Sequence, residues 1–188
     1  MKQVIKPGME YIPERENVRI FLAGTIDNGS SEDWQKELTD AVKDDAPITF
    51  FNPRKDKWNP DEGEEGLIRQ IKWEQYYLDK ADVILLNFVG SSKSPISLLE
   101  LGIYSQTNKL IVLCPKEYYR FMNVKLTCEK YGIPLVESDD WADQLNVLSQ
   151  ILELESPTLL VKPEYLEDSV EEDGEDVEEG NNDESGKA

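Results

Sequence analysis

The feature that most restricts the fold of this chain is a regular alternation of short apolar runs with helical segments. The clearest run, Val83–Phe88, is apolar along its whole length. This is typical of a central strand in a parallel sheet, where both faces are covered. Four further runs are predicted as strands: 18–23, 48–51, 110–114 and 133–136. Because helical segments separate these runs, the pattern predicts an α/β fold with a doubly wound, five-stranded parallel sheet and helices on both faces.

Composition divides the chain into three parts. Residues 1–16 are polar, contain two prolines and are predicted to be a surface lead-in. Residues 17–155 carry the alternating pattern and are predicted to form one α/β domain. Residues 156–188 are predicted to be a disordered acidic tail, since twelve Asp and Glu stand against one Lys from Glu164 onward. Two interpretations of this tail stay open: a solubilising segment, or a lure for a basic protein.

The charged residues narrow the possible chemistry. The net charge is −19 and the chain contains no histidine. Catalytic systems that pair Ser or Cys with His are therefore excluded. A zinc site is not expected either, because there are only two cysteines and no histidine to bind the metal. Acid–base catalysis would therefore use Asp, Glu, Tyr or Lys. No metal or other cofactor is predicted.

The same features predict the compartment and the classes of partner. No basic stripe is present, which argues against direct nucleic-acid binding. No apolar run reaches membrane-spanning length, and the N terminus lacks the apolar segment of a signal peptide. Cys114 and Cys128 fall in predicted strand and helix positions and are interpreted as buried free thiols in a reducing compartment. We therefore expect a cytoplasmic protein.

One segment, Ser94–Tyr104, places an acidic residue among apolar ones. Ser94 is a favourable N-cap and Pro95 suits the first helical position. The apolar residues that follow point in nearly every direction around the helix, which predicts a buried helix. Glu100 lies in its middle, where an unsatisfied carboxylate costs several kcal/mol. Either the Glu100 side chain extends to solvent or forms an ion pair with an Arg, or its carboxylate has a functional role.

Several loops are predicted to meet at one edge of the sheet. In parallel sheets, ligands bind beyond the carboxyl ends of the strands. Those ends carry the glycine-containing loop 24–30, the polar loop 52–60 and the segment 89–94. In the second of these, Trp58 and Arg54 suit a base or a sugar, although a plain surface loop explains them equally well.

At these positions the chain resembles the nucleoside 2-deoxyribosyltransferase family, which includes relatives that cleave deoxynucleoside 5′-monophosphates. The resemblance covers about residues 18–150. It rests on an ordered set of four short elements and not on any one of them. These elements are Phe21-Leu22-Ala23-Gly24, Asn52-Pro53-Arg54, Leu78-x-x-Ala81-Asp82 and Ser97-x-x-Glu100-x-Gly102.

The resemblance implies a flavodoxin-like fold, a homo-oligomer and a small nucleoside or nucleotide substrate. It also implies cleavage or transfer of an N-glycosidic bond through a covalent deoxyribosyl–enzyme intermediate. Glu100 falls at the position of the nucleophile, and Glu74 at that of an acidic residue near the base. Asn123 is a weak match to an asparagine supplied by a neighbouring subunit. As an alternative, Glu74 forms a surface salt bridge with Arg69, Lys72 or Lys80.

The sequence departs from the family in the loop before the predicted nucleophile helix. Many members carry an aspartate there, whereas residues 91–95 are Ser-Ser-Lys-Ser-Pro. These residues suit a phosphate, and the departure also leaves open a catalytically silent protein that binds a nucleotide or a partner. Two interpretations stay open for Tyr104 and Tyr77: one of them orients Glu100, or both pack in the core, which is the favoured interpretation. The predicted substrate-binding residues are Phe21, Gly24, Asn52, Pro53, Arg54, Trp58, Ser94, Ser97, Tyr104 and Asn123.

Overall fold

The computed structural model of the chain describes residues 1–56 and 62–166. Within them, six strands form one sheet in the order β1-β3-β2-β4-β5-β6, and every neighbouring pair is parallel. The strands are β1 (Gln3–Ile5), β2 (Val18–Gly24), β3 (Ile48–Phe51), β4 (Val83–Asn87), β5 (Leu110–Leu113) and β6 (Leu135–Val136). The predicted α/β class with a parallel sheet is confirmed, and the predicted number of five strands is wrong.

The additional strand comes from the N-terminal segment, which the composition predicts to be a lead-in. β1 pairs with β3 at the edge of the sheet, and the Ile5 side chain is buried. The Ile5 carbonyl also accepts a hydrogen bond of 2.9 Å from the Asn52 N–H. Its residues lie within a polar segment that contains two prolines, so only the pairing with β3 identifies this strand.

Helices cover both faces of the sheet and create two separate cores. On one face, α2, α3 and α4 pack over strand residues such as Phe21 and Ile84. On the other, α1 and α5 pack over Ile20 and Leu85, their neighbours along the strands. The alternation of side chains along each strand thus supplies both cores. The helices are α1 (Trp34–Ala41), α2 (Gly63–Lys80), α3 (Pro95–Tyr104), α4 (Phe121–Tyr131) and α5 (Trp141–Ile151).

Two helices begin at aspartate caps. The Asp33 side chain accepts a hydrogen bond of 3.1 Å from the Lys36 N–H at the start of α1. The sequence favours Ser30 or Ser31 as the cap of this helix, and the cap therefore lies two or three residues later than predicted. α5 begins after Asp140, one of the two caps predicted for it. A side-chain oxygen at either position satisfies an amide that lacks a partner within the helix.

The sequence predicts that Leu67, Ile71 and Leu78 face the core from α2, and the structure differs from this prediction. Leu78 is buried as expected, whereas Leu67 and Ile71 are exposed. Trp73 and Tyr77 lie against the core instead. The aromatic residues displace the aliphatic ones because they fill the space above Phe21 and Phe51, where ring contacts hold them.

The packed chain continues beyond the predicted domain end at residue 155. Leu160 and Val161 are buried in the core on the α1 and α5 face. Val161 forms an antiparallel bridge with Val42, and the Lys162 N–H donates to the Ala41 carbonyl at 2.8 Å. Residues 156–166, which composition assigns to the tail, are therefore part of the packed domain. The predicted disorder of the tail concerns residues 167–188, which lie outside the described residues.

Both cysteines are free and buried, as predicted. Burial raises the pKa of the Cys114 thiol to about 12 and that of Cys128 to about 11. Both side chains are therefore neutral thiols at pH 7. In the part of the chain that the structure describes, no helix is both long enough and apolar enough to cross a membrane.

Candidate active site

The site lies at the carboxyl edge of the sheet, where β2 and β4 run side by side. Gly24 ends β2 and lies opposite Asn87, the last residue of β4. Gly24 has φ of +134°, and a Cβ on it would lie 2.1 Å from the Asn87 carbonyl oxygen. Only glycine fits this position, because any side chain would collide with the backbone of β4. The loops that follow these strands therefore leave the sheet close together.

Glu100 is buried within α3, where only 8% of its surface is exposed. Ser97, one helical turn earlier, is also buried. No hydrogen bond or ion pair joins the Glu100 carboxylate to another residue in the ranges 1–56 and 62–166. Glu100 therefore pairs with no Arg among these residues, and its side chain lies largely out of bulk solvent. A buried carboxyl group without a partner is unusual enough to indicate a functional role.

A second carboxylate, Glu74 on α2, lies within electrostatic range of Glu100. Burial raises the pKa of Glu100 to about 8, and repulsion from Glu74 contributes to the rise. Burial also raises the pKa of Glu74, while a hydrogen bond of 2.7 Å from the Gln70 amide opposes that rise. Two carboxyl groups in this relation titrate together, so the pair holds a proton near neutral pH.

The hydrogen-bond donor to Glu74 is Gln70, not Arg69, Lys72 or Lys80 as the alternative interpretation has it. The same Gln70 amide donates to the Pro53 carbonyl at 2.9 Å. Gln70 therefore links α2 to the segment after β3 and fixes the position of the Glu74 carboxylate between them. The i, i+4 spacing of Gln70 and Glu74 on one helix was a usable sequence signal for this contact.

Arg54 is buried and bonded to the loop between β2 and α1. Its guanidinium donates to the carbonyl oxygens of Gly29, Ser31 and Glu32 at 3.2, 2.5 and 2.9 Å, and it lies 3.4 Å from the Asp33 carboxylate. These contacts engage the N–H donors of the guanidinium with groups of the protein itself. Arg54 thus holds this loop in place, and a direct contact with substrate remains a prediction.

Asn52, which begins the same segment, is almost fully buried. Its Oδ1 accepts a hydrogen bond of 2.9 Å from the Arg54 N–H, which fixes the turn through Pro53. Its Nδ2 has no hydrogen-bond partner among the described residues. The amide of Asn52 therefore keeps one donor available at the carboxyl end of β3.

The loop before α3 is held by hydroxyl groups. The Ser94 Oγ lies 2.5 Å from the Thr25 Oγ1 and 2.8 Å from the Ser92 Oγ. Ser94 occupies the N-cap position as predicted, but with φ of 40° its side chain does not bond to an amide of the helix. Thr25 also accepts a hydrogen bond of 3.0 Å from the Val89 N–H. These hydroxyls connect the ends of β2 and β4 directly in front of the Glu100 helix.

The predicted aromatic contacts to Glu100 take other partners. The Tyr104 hydroxyl donates to the Asp79 carboxylate at 3.0 Å, so the expectation that it orients Glu100 is wrong. Burial and this hydrogen bond raise the pKa of Tyr104 to about 12. Tyr77 packs against Phe51. Phe21 is fully buried with its ring 6.1 Å from that of Trp73, so it forms the floor beneath the site.

Two predicted residues lie away from this cluster or outside the described ranges. Asn123 is exposed on α4, and no contact within the ranges that the structure describes brings it to Glu100. Its carbonyl accepts a hydrogen bond of 2.8 Å from Thr127. Trp58 lies outside the described residues.

Sequence reasoning missed several polar groups at this edge. Among the described residues, seven side chains carry a buried polar atom without a hydrogen-bond partner. Four of them lie towards this edge: Asn52, which was predicted, and Gln70, Trp73 and Asn87, which were not. Native proteins satisfy most buried polar atoms, so a group of such side chains favours a site that binds a polar ligand. A polar residue at the end of an apolar strand was the available signal for Asn87.

The chemistry open to these residues is that of a carboxylate pair. Within residues 1–56 and 62–166, no three acidic or cysteine side chains are grouped as metal ligands. Glu100 provides a carboxyl group that becomes a strong nucleophile when ionised in a dry environment, and Glu74 provides a second site for a proton. Such a pair suits substitution at an anomeric carbon, where one group attacks and the other assists the leaving group.

The comparison with known families agrees with this arrangement. A search of curated proteins gave no significant match. The family model described as nucleoside 2-deoxyribosyltransferase like matches residues 17–118, which is more than half of the chain and runs from the start of β2 past the Glu100 helix. The chain therefore belongs to the nucleoside 2-deoxyribosyltransferase-like family.

Proposed function

We propose that this protein cleaves or transfers the N-glycosidic bond of 2′-deoxynucleosides or deoxynucleotides, with Glu100 as the nucleophile. The observation that carries the proposal is the burial of the Glu100 carboxyl group without a partner, close to the second carboxyl of Glu74. Family membership supports a glycosyl-transfer or hydrolysis activity in broad terms. The strand order, apart from the added β1, supports a flavodoxin-like arrangement with the site at its switch point.

The proposed first step uses the single proton held by the carboxylate pair. A Glu100 oxygen forms a bond to C1′ of the deoxyribose while the bond from C1′ to the base nitrogen breaks. The electron pair leaves with the base, which takes up the proton through Glu74. Water or a second base then attacks C1′ and gives a proton to Glu74, while the bond from C1′ to Glu100 breaks and its electron pair returns to the carboxylate. Because this step needs the pair to hold one proton, and the pKa of Glu100 is about 8, the rate should fall as the pH rises above this value.

The loop before α3 is the proposed position of a substrate 5′-phosphate. The amides at the start of α3 and the hydroxyls of Ser92 and Ser94 lie in this loop. Helix N-termini favour anions. Lys93 is exposed in the same loop, and its carbonyl accepts a hydrogen bond of 2.7 Å from the Tyr118 hydroxyl. The loop then binds the phosphate, while Glu74 supplies the proton to the base in the absence of a loop aspartate.

We also propose that the chain forms a homo-oligomer through the outer surface of α3 and α4. Ile96, Leu99 and Ile103 follow one side of α3 and are each more than half exposed. Met122 on α4 is equally exposed, next to Asn123. Apolar side chains repeated along a helix are typical of an interface. Asn123 then approaches the active site of a second copy.

The activity is tested by incubating the protein with the four 2′-deoxynucleosides and their 5′-monophosphates and measuring free base by chromatography. We expect base release that Glu100→Ala reduces by at least 1,000-fold, as for loss of a covalent nucleophile. Glu37→Gln, at an exposed site on α1, is the matched control and should retain full activity. Base release by Glu100→Ala at the parental rate would contradict the mechanism. Binding without turnover would favour a silent nucleotide-binding protein, which the absent loop aspartate supports.

A further inference from the structure

The serine that precedes α3 has a strained backbone. Ser94 has φ of 40° and ψ of 57°, in the left-handed region that residues other than glycine rarely adopt. Among the described residues, three others that are not glycine have a positive φ, and all three are exposed: Asp27, Asn108 and Glu153. Ser94, in contrast, is buried. Such a conformation persists only where the surrounding structure holds it, and it is common at functional sites.

Thr25 holds Ser94 in this conformation. The Ser94 Oγ lies 2.5 Å from the Thr25 Oγ1. The Val89 N–H donates to the same Thr25 oxygen at 3.0 Å, so the hydrogen of the Thr25 hydroxyl is left for the Ser94 Oγ, its only acceptor among the described residues. The Thr25 backbone is fixed as well, because its N–H donates to the Asn87 carbonyl at 2.9 Å and its carbonyl accepts from the Trp34 indole at 3.0 Å. Thr25 therefore directs the Ser94 side chain from a fixed position.

The hydrogen bond to Thr25 keeps Ser94 from capping its own helix. A serine at the N-cap normally accepts a hydrogen bond from the second or third amide of the helix. In α3 these amides belong to Ile96 and Ser97, and neither donates to an acceptor among the described residues. The next amide, of Leu98, donates to the Ser94 carbonyl at 3.2 Å. Two adjacent donors at the positive end of the α3 dipole are therefore left for a ligand.

The side chain of Ser97 points to a ligand at this turn independently of the backbone. Only 2% of Ser97 is exposed, yet its hydroxyl has no hydrogen-bond partner in the ranges 1–56 and 62–166. Its oxygen is not sealed from solvent, unlike the unpaired atoms of Asn87 and Gln144. Buried polar groups in native proteins are nearly always satisfied, so an accessible hydroxyl without a partner favours a polar ligand beside it.

We propose that Thr25 is a positioning residue, which prevents Ser94 from capping α3 and so keeps the Ile96 and Ser97 amides free for an anionic group of the substrate. Thr25 itself does not touch the substrate. The inference rests on the proposed function, which places a 5′-phosphate at this turn, and it adds the residue that keeps the turn open. Without the Thr25 hydroxyl, Ser94 relaxes to an ordinary N-cap conformation, and its oxygen occupies an amide that the phosphate would use.

The test measures by NMR how fast single amide hydrogens exchange with water in variants of the full chain. Thr25→Val keeps the shape of the side chain and removes the hydroxyl. We expect the Ile96 or Ser97 amide to exchange about 3- to 10-fold more slowly in this variant, as for one added capping hydrogen bond. Loss of a residue with a merely structural role would loosen the turn and accelerate exchange. Exchange that is unchanged or faster therefore overturns the inference.

Further variants identify the hydroxyl as the cause. Thr25→Ser keeps a hydroxyl and should exchange like wild type. Thr25→Val combined with Ser94→Ala lacks the new cap and should lose the slowing. Thr107→Val removes a hydroxyl at an exposed position beyond the other end of α3, and it should leave exchange at residues 96 and 97 unchanged. If Thr25→Val does not fold, Thr25→Ala makes the same test.

Binding is measured with inorganic phosphate at constant ionic strength, with chloride as the control anion. Phosphate should shift the Ile96 and Ser97 amide signals of wild type, and Thr25→Val should weaken its affinity about 3- to 10-fold. Equal affinity in both proteins, or no shift in wild type, overturns the inference. Neither measurement requires turnover. Slower exchange and weaker phosphate binding in a protein that releases no base contradict the proposed activity alone, whereas base release with unchanged exchange contradicts the inference alone.

Discussion

Replacing Glu100 with glutamine should change how the stability of the protein depends on pH. Burial and the nearby Glu74 carboxylate raise the folded pKa of Glu100 to about 8, from an ordinary value of 4.5. Between these two values the folded protein holds a proton that the unfolded chain releases. The free energy of unfolding therefore falls by about 1.4 kcal/mol for each pH unit in this window. Below pH 4.5 this contribution is fully present, and above pH 8 it is lost.

The expected magnitude is large enough to measure by urea denaturation. From pH 5 to pH 8 the wild-type protein loses about 4 kcal/mol of unfolding free energy through Glu100 alone. Glutamine has nearly the same shape as a protonated glutamate and does not ionise. The free energy of unfolding of Glu100→Gln should therefore lack this decrease with pH. With an m-value of about 2 kcal/mol/M, the urea midpoint of the variant relative to wild type should rise by about 2 M over this range.

The comparison is made between variants, so that the many other acidic groups cancel. Glu37→Gln makes the same chemical change at an exposed position on α1 and should follow wild type at every pH. If Glu100→Gln and wild type showed parallel midpoints from pH 5 to pH 8, the Glu100 carboxyl would not be held neutral by burial. The reasoning about the carboxylate pair would then be refuted. Because the measurement concerns folding, it does not depend on knowing the substrate.

Three further predictions concern the scaffold. Gly24→Ala should lower the free energy of unfolding by about 3 kcal/mol or more in urea titrations, whereas Gly102→Ala, with open space around its Cβ, should raise it by about 0.5–1 kcal/mol. Leu160→Ala should lower the free energy of unfolding by about 2–5 kcal/mol, because Leu160 is buried, whereas Leu159→Ala, at an exposed neighbour, should lower it by under about 1 kcal/mol. Equal effects of the two substitutions would contradict the packing of this segment. Arg54→Met should cost about 2–4 kcal/mol and accelerate hydrogen exchange of amides 29–33, and unchanged exchange there would argue against its role in holding the loop.

The parts of the fold that depend on local periodicity were predictable from the sequence. Strands β2 to β6, the alternation with helices and the buried character of α3 follow from runs of side chains close together in the chain. Strand β1 was not predictable, because its residues lie in a polar segment with two prolines and pairing with β3 alone defines them. The packing of Leu160 and Val161 was likewise hidden by the acidic composition around them.

Taken alone, the sequence determined that an acidic residue, Glu100, lies within an apolar helix near the carboxyl edge of a parallel sheet. Only the tertiary structure decided the hydrogen-bond partners of the polar side chains near it. Gln70 donates to Glu74, the Tyr104 hydroxyl donates to Asp79, and Arg54 donates to carbonyl groups of the loop between β2 and α1. The physical reason is the distance along the sequence between the residues that interact. Burial of a helix depends on side chains a few residues apart, whereas hydrogen-bond partners at the site come from separate elements whose distances are set only when the sheet and its helices pack together.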